Sequence, residues 1–317
     1  MTQDHTSEIA VETIGLSKRF GGLMALTDLS ITLCRGDVFG FIGPNGAGKS
    51  TTMKILCGLL QPTSGTARVM GQDVTTHGDF VRRNVGYMPD SFGVYEDLTV
   101  AEYLDFFASA YGLPRAQRRL TVSKVLDLTE LSYKQDARVD SLSRGMQQRL
   151  GLARVLVHDP PVLVLDEPAS GLDPRARIEI RELLKSLQQL GKTIMVSSHI
   201  LSELGEFCNK LGIIERGKLV IFGTQRELAD RARARPVVVV QIPKEAERAK
   251  QLLQADPRVE SIEHNGTELR VALKDVELHH QFVLEQLVAA GIMIDSLAMQ
   301  ELKLEEVFMR LTQGIVN

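Results

Sequence analysis

Gly43-Pro44-Asn45-Gly46-Ala47-Gly48-Lys49-Ser50 is the stretch that decides how this chain folds. It meets G-x-x-x-x-G-K-[ST] at every fixed position, the pattern of a loop that cradles phosphate. Just before it, Asp37 to Ile42 is a short apolar run suited to a buried strand. Just after it, Thr51-Thr52-Met53-Lys54-Ile55-Leu56 opens a helical pattern. Gly43, Gly46 and Gly48 allow the tight turn that aims successive N–H groups at phosphate oxygens. The helix start near Lys49 adds its positive dipole end. Lys49 is expected to reach the β- and γ-phosphates and the Ser50 hydroxyl to ligate Mg²⁺. The candidate ATP-binding loop therefore runs from Gly43 through Thr51, including Pro44, Asn45 and Ala47.

A second strand signal ends in two carboxylates. Pro161-Val162-Leu163-Val164-Leu165-Asp166-Glu167-Pro168 is rich in Val and Leu, as a strand buried on both faces of a parallel sheet should be. Ligands of such sheets sit at the carboxyl ends of the strands. Asp166 is thus a candidate Mg²⁺ ligand. Glu167, one residue on, is a candidate general base for an attacking water.

Three more elements complete an ordered set: Leu142-Ser143-Arg144-Gly145-Met146 upstream of the acidic strand, then Ser170-Gly171-Leu172-Asp173 and Ser197-Ser198-His199. The set resembles the ATP-binding subunit of ABC transporters over roughly residues 9 to 228. The resemblance implies two ATPase domains packed head to tail with ATP between them. One domain would offer the loop, Asp166, Glu167 and His199. The other would offer Ser143 and Gly145, while Asp173 senses the partner. Phe20 falls where the family stacks an aromatic ring on adenine. The implied protein is an exporter subunit, a homodimer or one half of a pair with a paralogue. It would work beneath a separate transmembrane permease, peripheral on the cytoplasmic face. Soluble ABC ATPases acting on nucleic acid or ribosomes are the alternative. They usually carry a coiled-coil arm or tandem ATPase domains, and neither pattern occurs here.

Three positions depart from the family pattern. Asp90 follows Val85-Gly86-Tyr87-Met88-Pro89 where Gln is usual, and it is a candidate for both Mg²⁺ contact and catalysis. A carboxylate there repels polyphosphate by roughly 3 kcal/mol at about 6 Å and an effective dielectric of about 20. Arg144 stands where Gly is usual, and Met146 where Gln is usual. Arg144 is expected either to balance the Asp90-bearing site of the opposing subunit or to point to solvent.

The whole chain bounds these readings. At 317 residues it is long enough for two domains. Its net charge of −3 gives no strong field for nucleic acid. No apolar stretch approaches a membrane span, and Met1 to His5 lacks the features of a secretory signal. Cys34, Cys57 and Cys208 are too scattered for a disulfide or metal framework.

Residues 91–160 read as mostly helical. A Thr99-to-Glu102 capping box opens one helix, and a second is expected over Arg115 to Leu128. By the resemblance this is the subdomain that meets a permease. Phe92, Tyr95, Leu98, Tyr103, Phe106 and Phe107 would serve as a partner groove or as local core. An Arg-rich stretch, Arg226 to Pro236, marks a linker. Beyond it the rhythm is β-α-β-β-α-β, with a type I′ hairpin expected at Asn265-Gly266, a strand over Ile292 to Met299 and a last helix over Leu302 to Leu311. The expected fold is α/β. Residues 1–232 form a P-loop ABC ATPase domain, with a mixed sheet core and a helical subdomain. Residues 236–317 form a small α+β ferredoxin-like domain for regulation or dimerisation.

Overall fold

Largely apolar, buried strands build the centre of the sheet that carries the phosphate loop. The computed structural model describes residues 8–91, 93, 97–200, 204–205, 207–231, 237–274 and 280–300, with the backbone alone at 229–231 and 300. In chain order the first elements are β1 (Ile9–Phe20), β2 (Leu23–Cys34), β3 (Val38–Ile42), α1 (Lys49–Leu56), β4 (Ser64–Val69), β5 (Gln72–Asp73), α2 (Gly78–Asn84) and β6 (Val85–Met88). They are followed by α3 (Val100–Ala110), α4 (Arg115–Leu128), α5 (Arg144–Leu156), β7 (Val162–Leu165), α6 (Pro174–Gln189), β8 (Thr193–Ser198), β9 (Lys210–Glu215) and β10 (Lys218–Thr224). Then come α7 (Gln225–Arg231), β11 (Val237–Gln241), α8 (Ala246–Gln254), β12 (Val259–Asn265), β13 (Glu268–Leu273), α9 (Gln281–Ala289) and β14 (Ser296–Gln300).

The chain divides into two compact units at Thr224/Gln225. The first holds two sheets. One is antiparallel, in the order β2-β1-β4-β5. The other runs β10-β9-β3-β8-β7-β6, parallel throughout except at the β10 edge. Every residue of β3, β7 and β8 is buried. Strands covered on both faces need no polar alternation, hence the apolar β3 and β7, while β8 also buries Thr193, Ser197 and Ser198. Because β3, β8, β7 and β6 are adjacent and parallel, their carboxyl ends open at one edge of the sheet.

The helical segment folds as its signals dictate. Thr99 and Glu102 form a reciprocal capping box at the start of α3. Pro114 precedes α4, which spans the expected residues. Phe92 and Tyr95 lie outside the described residues. Of the other proposed groove aromatics, Tyr103 is fully buried and belongs to the core, while Phe106 is exposed.

In the second unit a four-stranded antiparallel sheet has the order β12-β13-β11-β14, the ferredoxin-like arrangement. Val238, Val240, Leu269 and Val271 pack on Phe282, Val283 and Leu287. Two expectations shift. The hairpin turn falls on Gly266-Thr267, because Asn265 already pairs with Glu268. Positive φ is needed only at Gly266, which matches a II′ rather than a I′ turn. The last strand starts at Ser296 rather than Ile292. Gly291 ends α9 with φ 70°, and the Ile292 N–H donates to the Leu287 carbonyl at 3.0 Å. That Schellman cap uses the donor a strand would need. The last helix, Leu302 to Leu311, and residues 232–236 of the linker lie outside the described residues.

Candidate functional site

The loop Gly43–Thr51 turns from β3 into α1. A Cβ on Gly43 would run into the Ile214 carbonyl, and one on Gly48 would strike the Leu26 side chain and the Ala25 carbonyl. Gly48 also needs φ 113°, which no side chain tolerates well. Lys49 is 5 % exposed, so its ammonium is committed to the site. It donates to the Gly43 carbonyl at 2.6 Å and lies 3.4 Å from Glu167 Oε1. Pro44, Asn45, Gly46 and Ser50 face solvent around it, Thr51 is half-buried and Ala47 is buried.

Asp166 and Glu167 leave the end of β7 beside this lysine. Asp166 is buried and Glu167 nearly so. Glu167 sits at φ 51°, which costs a residue with a side chain about 1–2 kcal/mol. Its backbone is held at both ends. Its N–H donates to Ser197 Oγ at 2.9 Å, and its carbonyl accepts from the Ser170 N–H at 3.0 Å. Its carboxylate is divided as well. His199 Nδ1 lies 2.8 Å from Oε2, so with an ionised Glu167 the imidazole carries its proton on Nδ1. Oε1 is buried and has no hydrogen-bond partner.

Ser197 is the residue that the sequence reading passed over. It is fully buried on β8, and its hydroxyl donates to Asp166 Oδ1 at 2.6 Å while accepting from Glu167 N. One hydroxyl thus fixes both members of the acidic pair. The available signal was a serine directly after the apolar run Ile194-Met195-Val196 of a buried strand, since buried polar groups are nearly always bonded.

Asp90 follows β6 at the rim of the same edge. Partial burial, then the charges of Asp166 and Glu167, raise its pKa above the ordinary carboxylate value; Arg144 and His199 draw it back. The Arg144 that acts on it belongs to the same chain. Tyr87, on β6 itself, has a buried hydroxyl with no partner. Burial, followed by the Asp166 charge, pushes its pKa up.

Ser143, Gly145 and Asp173 do not join this cluster. Ser143 caps α5, its Oγ accepting from Met146 N at 3.4 Å. Asp173 caps α6, accepting from Ala176 N at 2.9 Å, with Pro174 at the first helical position. The two caps line one groove of about 750 Å³, while Glu167 and His199 line another of about 480 Å³. Phe20 stands apart at the end of β1, 47 % exposed, with Lys18 Nζ 5.0 Å from its ring centre.

These residues fit a nucleoside triphosphate with Mg²⁺. The glycine cradle, the buried ammonium and an Oε1 that accepts no hydrogen bond suit a polyphosphate and an attacking water. Among the described residues no three His, Cys, Asp or Glu side chains form a metal centre by themselves. That suits Mg²⁺, which takes one or two carboxylates together with phosphate oxygens and water.

The parallel sheet, its loop and its acidic strand end define a P-loop nucleotide-binding protein. More narrowly, the chain belongs to the ATP-binding proteins of ABC transporters. The ABC transporter family model matches residues 26–170, and that of the DrrA1-3-like ATP-binding protein C-terminal domain matches residues 223–312. A Nod factor export ATP-binding protein I of Paraburkholderia xenovorans is 41% identical over 221 residues, 70% of this chain and 73% of that protein. The probable multidrug ABC transporter ATP-binding protein YbhF of Escherichia coli is also 41% identical over 221 residues, but these make up only 38% of its length. Among solved structures, an ATP-binding subunit of an ABC transporter is 30% identical, covering 70% of this chain and 92% of its own, with a TM-score of 0.64. The cbiO1 protein of Clostridium perfringens, part of the transporter complex cbiONQ, is 27% identical, covering 79% and 97%, also with a TM-score of 0.64. Among the described residues no helix is long and apolar enough to cross a membrane.

Proposed function

We propose that the chain is the ATP-hydrolysing subunit of an exporter whose transmembrane permease is a separate polypeptide. The observation that carries this is the convergence of Lys49, Asp166, Glu167, His199 and Asp90 at one edge of a parallel sheet, in a chain related to proteins named for export. In this reading Lys49 and the N–H groups of Gly43–Thr51 hold the phosphates. Ser50 and Asp166 hold Mg²⁺, with Asp90 at its rim, and the ion would offset phosphate charge. Glu167 Oε1 takes a proton from water as the water oxygen bonds to the γ-phosphorus and the bond to ADP breaks. His199 fixes the other carboxylate oxygen, and Ser197 fixes the backbone beneath it. Phe20 stacks on adenine.

Ser143 and Gly145 face a groove that Glu167 does not line. Their capped helix start suits an anion brought by another subunit, so two copies, or this chain and a paralogue, would close head to tail on ATP. A dimeric cassette bound to ADP and Pi, 25% identical with a TM-score of 0.62, supports the arrangement. The complex would sit on the cytoplasmic side of the membrane. The second unit would support or regulate the dimer.

The test is to purify the tagged chain from gently solubilised membranes and identify its companions by mass spectrometry. A polytopic membrane protein in stoichiometric amount is expected. Ribosomal or DNA-associated companions instead would overturn the exporter reading.

A further inference from the structure

Arg144 is an odd choice for the first residue of α5. A cation at a helix N-terminus opposes the helix dipole, typically by about 0.3–1 kcal/mol. The side chain is exposed, yet its guanidinium does not project freely into solvent. It lies on Gly171, in the turn that follows Glu167. A Cβ built on Gly171 meets the guanidinium carbon and both terminal nitrogens as its three nearest atoms. Gly171 also has φ 67°, so the turn combines a backbone that suits glycine with the bare surface that admits the arginine.

The charges around the acidic strand end explain what Arg144 supplies. Lys49 is 3.4 Å from Glu167 and bonded to the loop carbonyls. His199 is on Glu167, and Ser197 is on Asp166. That leaves Asp90 beside two other carboxylates. Of the two groups that favour its charged form, Arg144 has the larger effect and His199 the smaller.

We infer that Arg144 is a positioning residue acting within its own chain: laid on Gly171, it ties the start of α5 to the turn after Glu167 and brings its positive charge toward the Asp90 side of the site. This rests on reading the strand ends as the ATP site. It goes further by coupling, through one side chain, the segment that would face the opposing subunit's ATP to the segment carrying this subunit's own general base. A movement of α5 would then be felt at Glu167 before any contact between subunits changed.

The experiment uses the full chain with Arg144→Gln, Arg144→Lys, Asp90→Asn and the double variant Asp90→Asn/Arg144→Gln. Arg144→Gln is expected to lower kcat about tenfold, with KM for ATP changed less than about twofold. Arg144→Lys, which keeps the charge but not the broad contact, restores part of the loss. In the Asp90→Asn background, Arg144→Gln costs less than about twofold, because the charge it served is gone. Without nucleotide, amide exchange at 170–173 is faster in Arg144→Gln than in wild type. Equal losses in both Asp90 backgrounds, or unchanged exchange at 170–173, would overturn the inference. The exchange arm needs no turnover, so it decides the contact within one chain even if the ATPase reading itself fails.

Discussion

The two units of this chain use sheets of opposite logic. In the first, parallel neighbours β3, β8, β7 and β6 all end at one edge, and each delivers a polar residue there: the phosphate loop, His199, the Asp166–Glu167 pair and Asp90. In the second, every pairing is antiparallel, so strand ends alternate and no edge collects them. Its polar groups pair locally instead. Asp256 bonds Arg258 and Gln286, His264 lies against Glu247, and Gln241 bonds Glu268. Parallel topology gathers charge into a site that must be balanced by added cations and ligands. Antiparallel topology disperses charge and leaves a body that a partner or a second copy can use as a surface.

The strongest way to break this contrast is Glu167→Gln. It should cut ATP turnover by about 100-fold or more while ATP still binds, because the proton acceptor is lost and the cradle is not. Thermal unfolding of the second unit should not change. A variant that kept wild-type turnover would remove Glu167 from the mechanism.

Ser197→Ala comes next. It takes a donor from Asp166 and an acceptor from the strained Glu167 backbone, and a bond to a charged group is worth about 1.5–3 kcal/mol. Turnover should fall about tenfold or more, with the Mg²⁺ requirement shifted upward. Ser197→Thr should recover much of it. Loss of folding without any change in Mg²⁺ dependence would make Ser197 a packing residue only.

Removing residues 236–317 should leave ATP affinity within about threefold, since the second unit has its own core. Dimer stability or partner binding should change. Complete loss of ATP binding would show that the units do not fold separately.

The smallest effect separates the units by acid. Burial pushes His158 down to about 4 from an ordinary 6.5, against the opposing pull of the Val85 carbonyl. The unfolded chain takes up that proton first, so this stability is present above about pH 6.5 and is lost as pH falls toward 4. Asp256 is held down at about 2, first by its hydrogen bond to Arg258, from an ordinary 3.8. Its contribution persists above about pH 4 and is lost as pH falls through 2. At pH 5, hydrogen exchange should therefore accelerate around His158 before it does around Asp256. His158→Gln should flatten the first response and Asp256→Asn the second.

Much of this was legible in residues with a local signature. The loop, the Thr99 capping box, Pro114 before α4 and the apolar runs of β3 and β7 each carry their structure in a few neighbours. What escaped depends on partners distant in sequence. Ser197 matters because Asp166 and Glu167, some thirty positions away, end on the adjacent strand. Arg144 lies on Gly171 of its own chain, a contact that no local pattern reveals. The hairpin moved by one residue because register against Glu268, not the Asn-Gly pair alone, placed the turn. Ile292 left its strand because helix α9 claimed its N–H.

In the proposed function ATP is held between two such sites, from two copies of this chain or from this chain and a paralogue. The direct measurement is the mass of full-length Glu167→Gln in solution with Mg²⁺, with and without ATP. A monomer without nucleotide that becomes a dimer with ATP, and fails to do so when Gly145→Glu is added, is the expected result. A chain that binds ATP yet never pairs with a second ATPase subunit, whether its own copy or a paralogue in the membrane complex, would contradict the composite site.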